Sequence, residues 1–272
     1  MAEDPGAEVA ASSGQPPVSG QPPVSGQPRV SGQPRVSGQP PVVPGQGEEA
    51  GAPLWAAVDD LLAGWFVGSD PVLDEALAVA RAAGVPEIQV SPLQGRLLTV
   101  LALAIRARTI LEIGTLFGYS AICLGRALPP EGRLVTLEVE PRHAELARTN
   151  LARAGLADRV EVRLGRALEL LPDVERDLGA QGVDLCFIDA DKPSNAEYFG
   201  WARRLVRPGG LVVVDNVVRH GRILEASSGA PDVQGTRELF AAVAADGVVA
   251  SVVQTVGSKG HDGLLVAVLP PA

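Results

Sequence analysis

The chain has 272 residues, 46% of them hydrophobic, and a net charge of −9. That length and apolar content can close one large core or two small ones. The acidic balance argues against a partner presenting nucleic-acid phosphates and favours a small-molecule ligand. The longest apolar run, near Leu97 to Ile105, is too short to span a bilayer, and the acidic opening MAEDPGAEVA lacks the basic-then-apolar pattern of a secretory signal. Cys123 and Cys186 read as small core residues in a reducing compartment, so the cytoplasm is the expected location.

Near the amino terminus a hexapeptide, SGQPPV or SGQPRV, is read five times in succession from Ser13 to Val42. With valine as its one apolar residue, the repeat cannot bury enough surface to offset the entropy of ordering its backbone. Residues 1–52 are therefore expected to form a disordered, partly polyproline II tail. A β-helical coil of the same period is excluded because proline in every unit removes ladder donors. The tail holds two arginines against five acids, leaving −6 on residues 53–272, which read as one domain.

Beyond Pro53, LWAAVDDLLAGWF is an amphipathic helix pattern, and Asp70-Pro71 opens a second helix that Gly84 can close. Ser91, Pro92 and Gln94 form a capping box with proline at the first helical position, leading into LQGRLLTVLALAI. Short apolar runs then alternate with helical stretches: TILEIG, YSAICLGRAL, RLVTLEV, PRHAELARTNLARAG and VEVRLG. A short helix at Ala167 to Leu171 follows, then VDLCFID, a helix capped by Ser194 with Glu197 three residues on, LVVVDN, and a helix around Thr236 to Ala245. Strands without inside-outside alternation, separated by helices, predict a parallel sheet covered on both faces, a doubly wound α/β fold. The last two runs, VVASVVQTV and DGLLVAV, lack an intervening helix and predict an antiparallel edge hairpin across GSKGH.

In such sheets ligands sit beyond the carboxyl ends of the strands. The first strand ends LEIG and runs into TLFGYS, with Gly114 and Gly118 four apart. This is neither GxGxxG nor a loop ending in GKS or GKT, so a bound pyrophosphate is disfavoured, and with it a nicotinamide-dependent oxidoreductase. Glu112 would repel a diphosphate but suits an ammonium group. Glu138, at the next strand end, stands where a carboxylate accepts hydrogen bonds from ribose hydroxyls. Each alone reads equally well as a surface or strand-end acid, but together they favour S-adenosylmethionine.

The later strands end FIDADKPS and VVVDNVV. Neighbouring strands lie ~4.8 Å apart, so Asp189, Asp215 and Asn216 would put three oxygen donors in one small volume. Acids at strand ends also cap loops and helices, but two unpartnered carboxylates are reconciled by a hard cation such as Mg²⁺, Mn²⁺ or Ca²⁺, not zinc. Successive residues of a regular strand face opposite ways, so Asp215 and Asn216 share an ion only if the chain has already turned out of the strand. Among 23 basic residues only Lys192 and Lys259 are lysines. Lys192 lies three residues past a candidate ligand and, unlike arginine, can give up its proton. His143 and His261 read as surface residues, His220 as a solvated loop residue, and the tryptophans as packing or subunit contacts.

The series SPLQGRLL, LEIGTLFGYSAI, TLEVEPRHAELAR, FIDADKPSNAEYF, RPGGLVVVDNVVRHGR and PDVQGTREL, in this order, resembles the metal-dependent class I O-methyltransferases, and the resemblance covers nearly all of Ser91 to Leu269. That group includes caffeoyl-CoA and catechol O-methyltransferases and their bacterial relatives. The resemblance implies a Rossmann-like fold and transfer of a methyl group from S-adenosylmethionine to a small catechol-like or phenolic acceptor. It further implies metal ligation by Asp189, Asp215 and Asn216, with Mg²⁺ the foremost candidate, and Lys192 as general base. By the same resemblance Val90, Glu112, Gly114, Thr115, Ser120, Glu138, Ala167 and Asp189 line the cofactor pocket, with Asp191 beside them. Leu93 stands where bacterial relatives often carry Glu, and the proline-rich tail lies outside the pattern. A tRNA hydroxyuridine methyltransferase is the alternative within this chemistry, and a non-catalytic binding module the alternative outside it. The apolar first helices predict a homodimer.

Overall fold

A computed structural model describes residues 48–270, all within one compact unit of the chain. The hexapeptide repeats lie outside the described residues. Three helices come first: α1 (Glu48–Phe66), α2 (Pro71–Ala82) and α3 (Pro92–Ala104). Helix α1 starts inside the segment expected to be tail and carries Pro53 within it; a proline near a helix start removes few ladder bonds. The two predicted caps form. Asp70 accepts from the Leu73 amide at 3.2 Å. Ser91 Oγ accepts from the Gln94 amide at 3.2 Å, while Gln94 Oε1 accepts from the Ser91 amide at 2.8 Å.

The alternating part follows as β1 (Thr109–Ile113), α4 (Tyr119–Ala127), β2 (Arg133–Glu138), α5 (Pro141–Arg153), β3 (Val160–Leu164), α6 (Ala167–Leu178) and β4 (Val183–Ile188). After it come α7 (Asn195–Leu205), β5 (Val206–Asp215), α8 (Pro231–Asp246), β6 (Val249–Gly257) and β7 (Gly260–Val268). The seven strands are ordered β3-β2-β1-β4-β5-β7-β6. All pairs are parallel except β5 with β7 and β7 with β6. This is the predicted doubly wound sheet with its antiparallel edge hairpin.

Strand residues divide by parity between two cores. Ile110, Leu134, Leu185, Phe187, Leu211 and Val213 pack on the side of α2 to α5. Leu111, Ile113, Leu137, Cys186, Ile188 and Val214 pack on the side of α6 to α8. Covering both faces explains why the runs read as continuously apolar. Both cysteines are buried free thiols, and no described helix is long and apolar enough to cross a membrane.

Three local expectations change. Helix α6 runs on to Leu178, past Pro172, because Leu171, Val174 and Leu178 form a buried stripe that packing rewards. Helix α8 begins at Pro231, five residues before the predicted start, with proline in its first turn. Ser194 precedes α7 but makes no side-chain cap; its hydroxyl donates instead to Asp191 Oδ2 at 2.5 Å.

Candidate active site

The switch in strand order falls between β1 and β4, both of whose carboxyl ends open into a cavity of about 680 Å³. Its walls include Val90, Gly114, Thr115, Ser120, Glu138, Ala167, Asp189 and Asp191. Gly114, with φ 98°, carries the chain under β4: a Cβ there would lie 2.1 Å from the Asp189 carbonyl oxygen. Only glycine permits that approach.

Glu112 is wholly buried on β1. Its Oε2 accepts from Thr136 Oγ1 at 2.6 Å, and the Thr115 hydroxyl lies 2.5 Å from Thr136 Oγ1. Its Oε1 has no hydrogen-bond partner. Burial pushes the carboxyl up to about 7, against the opposing hydroxyls of Ser120 and Thr136. Such a group gains by meeting a cation. Thr136 did not stand out in the sequence, since a threonine within a strand reads as an ordinary β-former.

Glu138 closes the next strand. Its Oε2 accepts from the amides of Thr115 and Leu116, at 3.2 and 2.7 Å, and its Oε1 from the Glu140 amide at 2.9 Å. These bonds fix both oxygens at the cavity wall and leave about one acceptor site open, on Oε1. His143, expected on the surface, stands in this wall, its Nδ1 3.7 Å from Glu138 Oε1. The helical periodicity of α5 had not revealed which turn faces the strand ends. Asp191 also lines the cavity, but its two oxygens accept from Tyr198 at 2.6 Å and from Ser194. Burial opposes its ionisation, yet these hydroxyls hold its carboxyl below the usual carboxylate range.

A second cavity of about 360 Å³ adjoins the first, sharing Val90, Asn216 and Arg219 with it. Asp215, Leu93, His220, Lys259 and Asp59 line it. The parallel register sets Ile188 against Val214, so Asp189 and Asp215 leave neighbouring strands at the same height. Asn216 has φ 58°: the chain turns out of β5 there, which removes the objection that adjacent residues must face opposite ways. Asp215 is almost wholly buried, and its Oδ1 accepts from the Asn216 amide at 2.7 Å. Burial, then the charge of Asp189, pushes its carboxyl up to about 7, with Lys192 opposing. Lys192, also buried, donates to Asp189 Oδ1 at 2.8 Å.

Among the described residues no cluster of three or more His, Cys, Asp or Glu side chains forms a metal group; the cluster here is two carboxylates and an amide. Its chemistry fits a hard cation. All donors are oxygens, and one lysine cannot neutralise both a buried carboxylate and its neighbour.

A parallel α/β sheet with cavities at its switch point, one suited to a nucleoside with a cationic end and one floored by acids, defines a group-transfer enzyme. The model of an O-methyltransferase family matches residues 67–268. The chain is 51% identical over 212 residues to a catechol O-methyltransferase of Mycobacterium tuberculosis, covering 78% of this chain and 94% of that one. It is 45% identical over 217 residues to a catechol O-methyltransferase of Niastella koreensis, covering 79% and 98%. The crystal structure of an O-methyltransferase from Bacillus cereus in complex with SAH superposes with a TM-score of 0.78 at 47% identity, covering 80% and 99%. The chain belongs to this O-methyltransferase family, has its Rossmann-like class I fold, and is an enzyme of that class.

Proposed function

We propose that the enzyme transfers the methyl group of S-adenosylmethionine to one hydroxyl of a small vicinal diphenol, with a divalent cation, Mg²⁺ foremost, held by Asp189, Asp215 and Asn216. The observation that carries this reading is the pairing of buried Asp215 with Asp189 at equal height on neighbouring strands, with Asn216 out of the strand and lining both cavities. The larger cavity suits the donor: Glu138 is offered to the ribose over the glycine-permitted floor at Gly114, and Glu112, buried behind the lining residues Thr115 and Ser120 and not itself part of the wall, is the carboxylate offered to the ammonium end. The smaller cavity takes the acceptor.

When bound, the cation supplies Lewis acidity that makes a coordinated hydroxyl easier to deprotonate. As the neutral amine, Lys192 Nζ would take the acceptor proton and so become the ammonium that donates to Asp189. The new oxygen–carbon bond forms as the carbon–sulfur bond breaks, and the neutral thioether S-adenosylhomocysteine leaves. The residues of the two cavities contribute mainly by holding oxygen and methyl carbon in near-attack geometry.

A second copy of the chain is the partner we assign to the exposed apolar surface of α1 and β6, where Leu54, Leu61, Trp65, Val249 and Val253 stand in solvent. The buried, reduced cysteines suit a cytoplasmic location. The deciding experiment incubates the enzyme with methyl-labelled S-adenosylmethionine and vicinal phenols, flavonoids or tRNA, with Mg²⁺ or with chelator. Label in a phenolic methyl ether only with metal is the expected result. Label transferred equally well under chelation removes the metal, and label found in tRNA alone removes the acceptor class.

A further inference from the structure

We infer that Asp232 is a positioning residue for the acceptor and metal half of the site, acting through Arg219 and Arg222 on the loop that follows Asn216. The inference rests on the reading of Asn216 as a metal ligand. Asn216, Arg219, His220 and Gly221 have φ of 58°, 56°, 55° and 78°. Three of these four carry side chains, in a conformation that L-residues rarely adopt. Backbone of this kind persists only where its surroundings over-determine it.

Two carboxylates do so. Asp262 Oδ1, buried on β7, accepts from the amides of Val218 at 2.9 Å, Arg219 at 3.1 Å and Gly263 at 3.0 Å. That grip fixes the start of the loop through its backbone. Asp232 fixes its later part through side chains: Oδ2 accepts from Arg219 Nε at 3.1 Å and Nη2 at 2.6 Å, and from Arg222 Nη1 at 3.1 Å. Arg222 Nη2 reaches Oδ1 at 3.2 Å. All are charge-assisted; Arg222 spans both carboxylate oxygens and Arg219 holds Oδ2 through two nitrogens, so they fix direction as well as distance.

Asp232 stands in the first turn of α8. One turn on, Gly235 lets the same helix press against the segment that carries Lys192: a Cβ there would lie 2.3 Å from the Lys192 carbonyl oxygen and 2.5 Å from Pro193 Cα. A single stretch of α8 thus braces the lysine from one side and the Asn216 loop from the other. Arg219 lines both cavities.

The test compares Asp232→Asn and Asp232→Glu with wild type in three measurements: acceptor KM and half-saturating Mg²⁺ with a catechol, cofactor Kd by calorimetry without metal, and amide hydrogen exchange over residues 216–224. For Asp232→Asn we expect faster exchange and an increase of about tenfold in both KM and half-saturating Mg²⁺, as for loss of one partly exposed charge-assisted contact. Cofactor Kd should stay within about twofold, and Asp232→Glu should recover most of the loss. Unchanged KM and Mg²⁺ requirement would overturn the inference. So would a parallel loss of cofactor affinity and thermal stability, which marks a merely structural role. If wild type itself shows no metal-dependent turnover, it is the reading of Asn216 that has failed, and that outcome appears before any variant is made.

Discussion

The two cavities are built in different ways. The larger one is assembled from consecutive strand ends and the loops directly after them, and its key carboxylates are tied to backbone amides or buried hydroxyls a strand away. The smaller one is assembled from segments far apart in the chain. Asp59 of α1 accepts from the Ser258 amide at 2.9 Å in the β6–β7 turn, Lys259 donates to the Glu87 carbonyl at 2.8 Å, and Asp262 holds the loop after Asn216. The carboxyl end of a buried parallel sheet suits a donor whose shape is constant from turnover to turnover. Loops joined by side chains are where acceptor preference can change without disturbing the sheet.

That contrast can be broken from either side. Asp215→Ala should have the largest effect, lowering metal-supported turnover by about 10³-fold or more, the scale of several kcal/mol of charge stabilisation. Titrating Mg²⁺ into chelator-treated enzyme checks it, and wild-type activity without metal would sink it. Lys192→Ala should slow turnover by ~10²–10⁴-fold while cofactor affinity is kept, measured by single-turnover kinetics beside calorimetry. Unchanged turnover would remove Lys192 from the chemistry.

Glu112→Gln should act on the other cavity, weakening cofactor binding by about 30-fold or more, as when a buried charge loses its partner. A pH signature goes with it. In the free enzyme the Glu112 carboxyl is raised from its ordinary 4.5 to about 7, so it is largely protonated at pH 6 and must lose a proton to pair with an ammonium. Cofactor binding should therefore tighten from pH 6 to pH 8 and release close to one proton at pH 6, read from calorimetry in buffers of different ionisation heat. The Gln variant should show neither effect. The same raised carboxyl means that stability of the free protein is fullest below its unfolded value and is lost as pH rises through about 7. Asp215 acts in the same direction. A midpoint of thermal unfolding that rises over that range without ligand would contradict both. The smallest expected effect is that of Asp59→Ala, a rise of about threefold to tenfold in acceptor KM from loss of one or two ordinary hydrogen bonds. Cofactor Kd serves as the control.

Much of this was legible in the residues. The parity-free apolar runs gave the buried parallel sheet, the Ser91 box and Asp70-Pro71 gave helix starts, and Glu112, Glu138, Asp189 and Asp215 stood out because carboxylates at strand ends are costly without a partner. His143 and Thr136 were not legible, because neither residue type is unusual at its place in a helix or strand. The extension of α6 past Pro172 and the bond of Ser194 to Asp191 were decided by neighbours that local pattern does not identify.

Local chemistry therefore determined which segments become strands and helices, and which acids end the strands, since periodicity, capping and proline act over a few residues. Only the tertiary structure decided that Asn216 leaves its strand in a left-handed turn, that Asp189 and Asp215 emerge at equal height, and that Asp232 and Asp262 close on one loop. Each of those outcomes depends on register between strands or on contacts across tens of residues, which the order of amino acids encodes only through the packed whole.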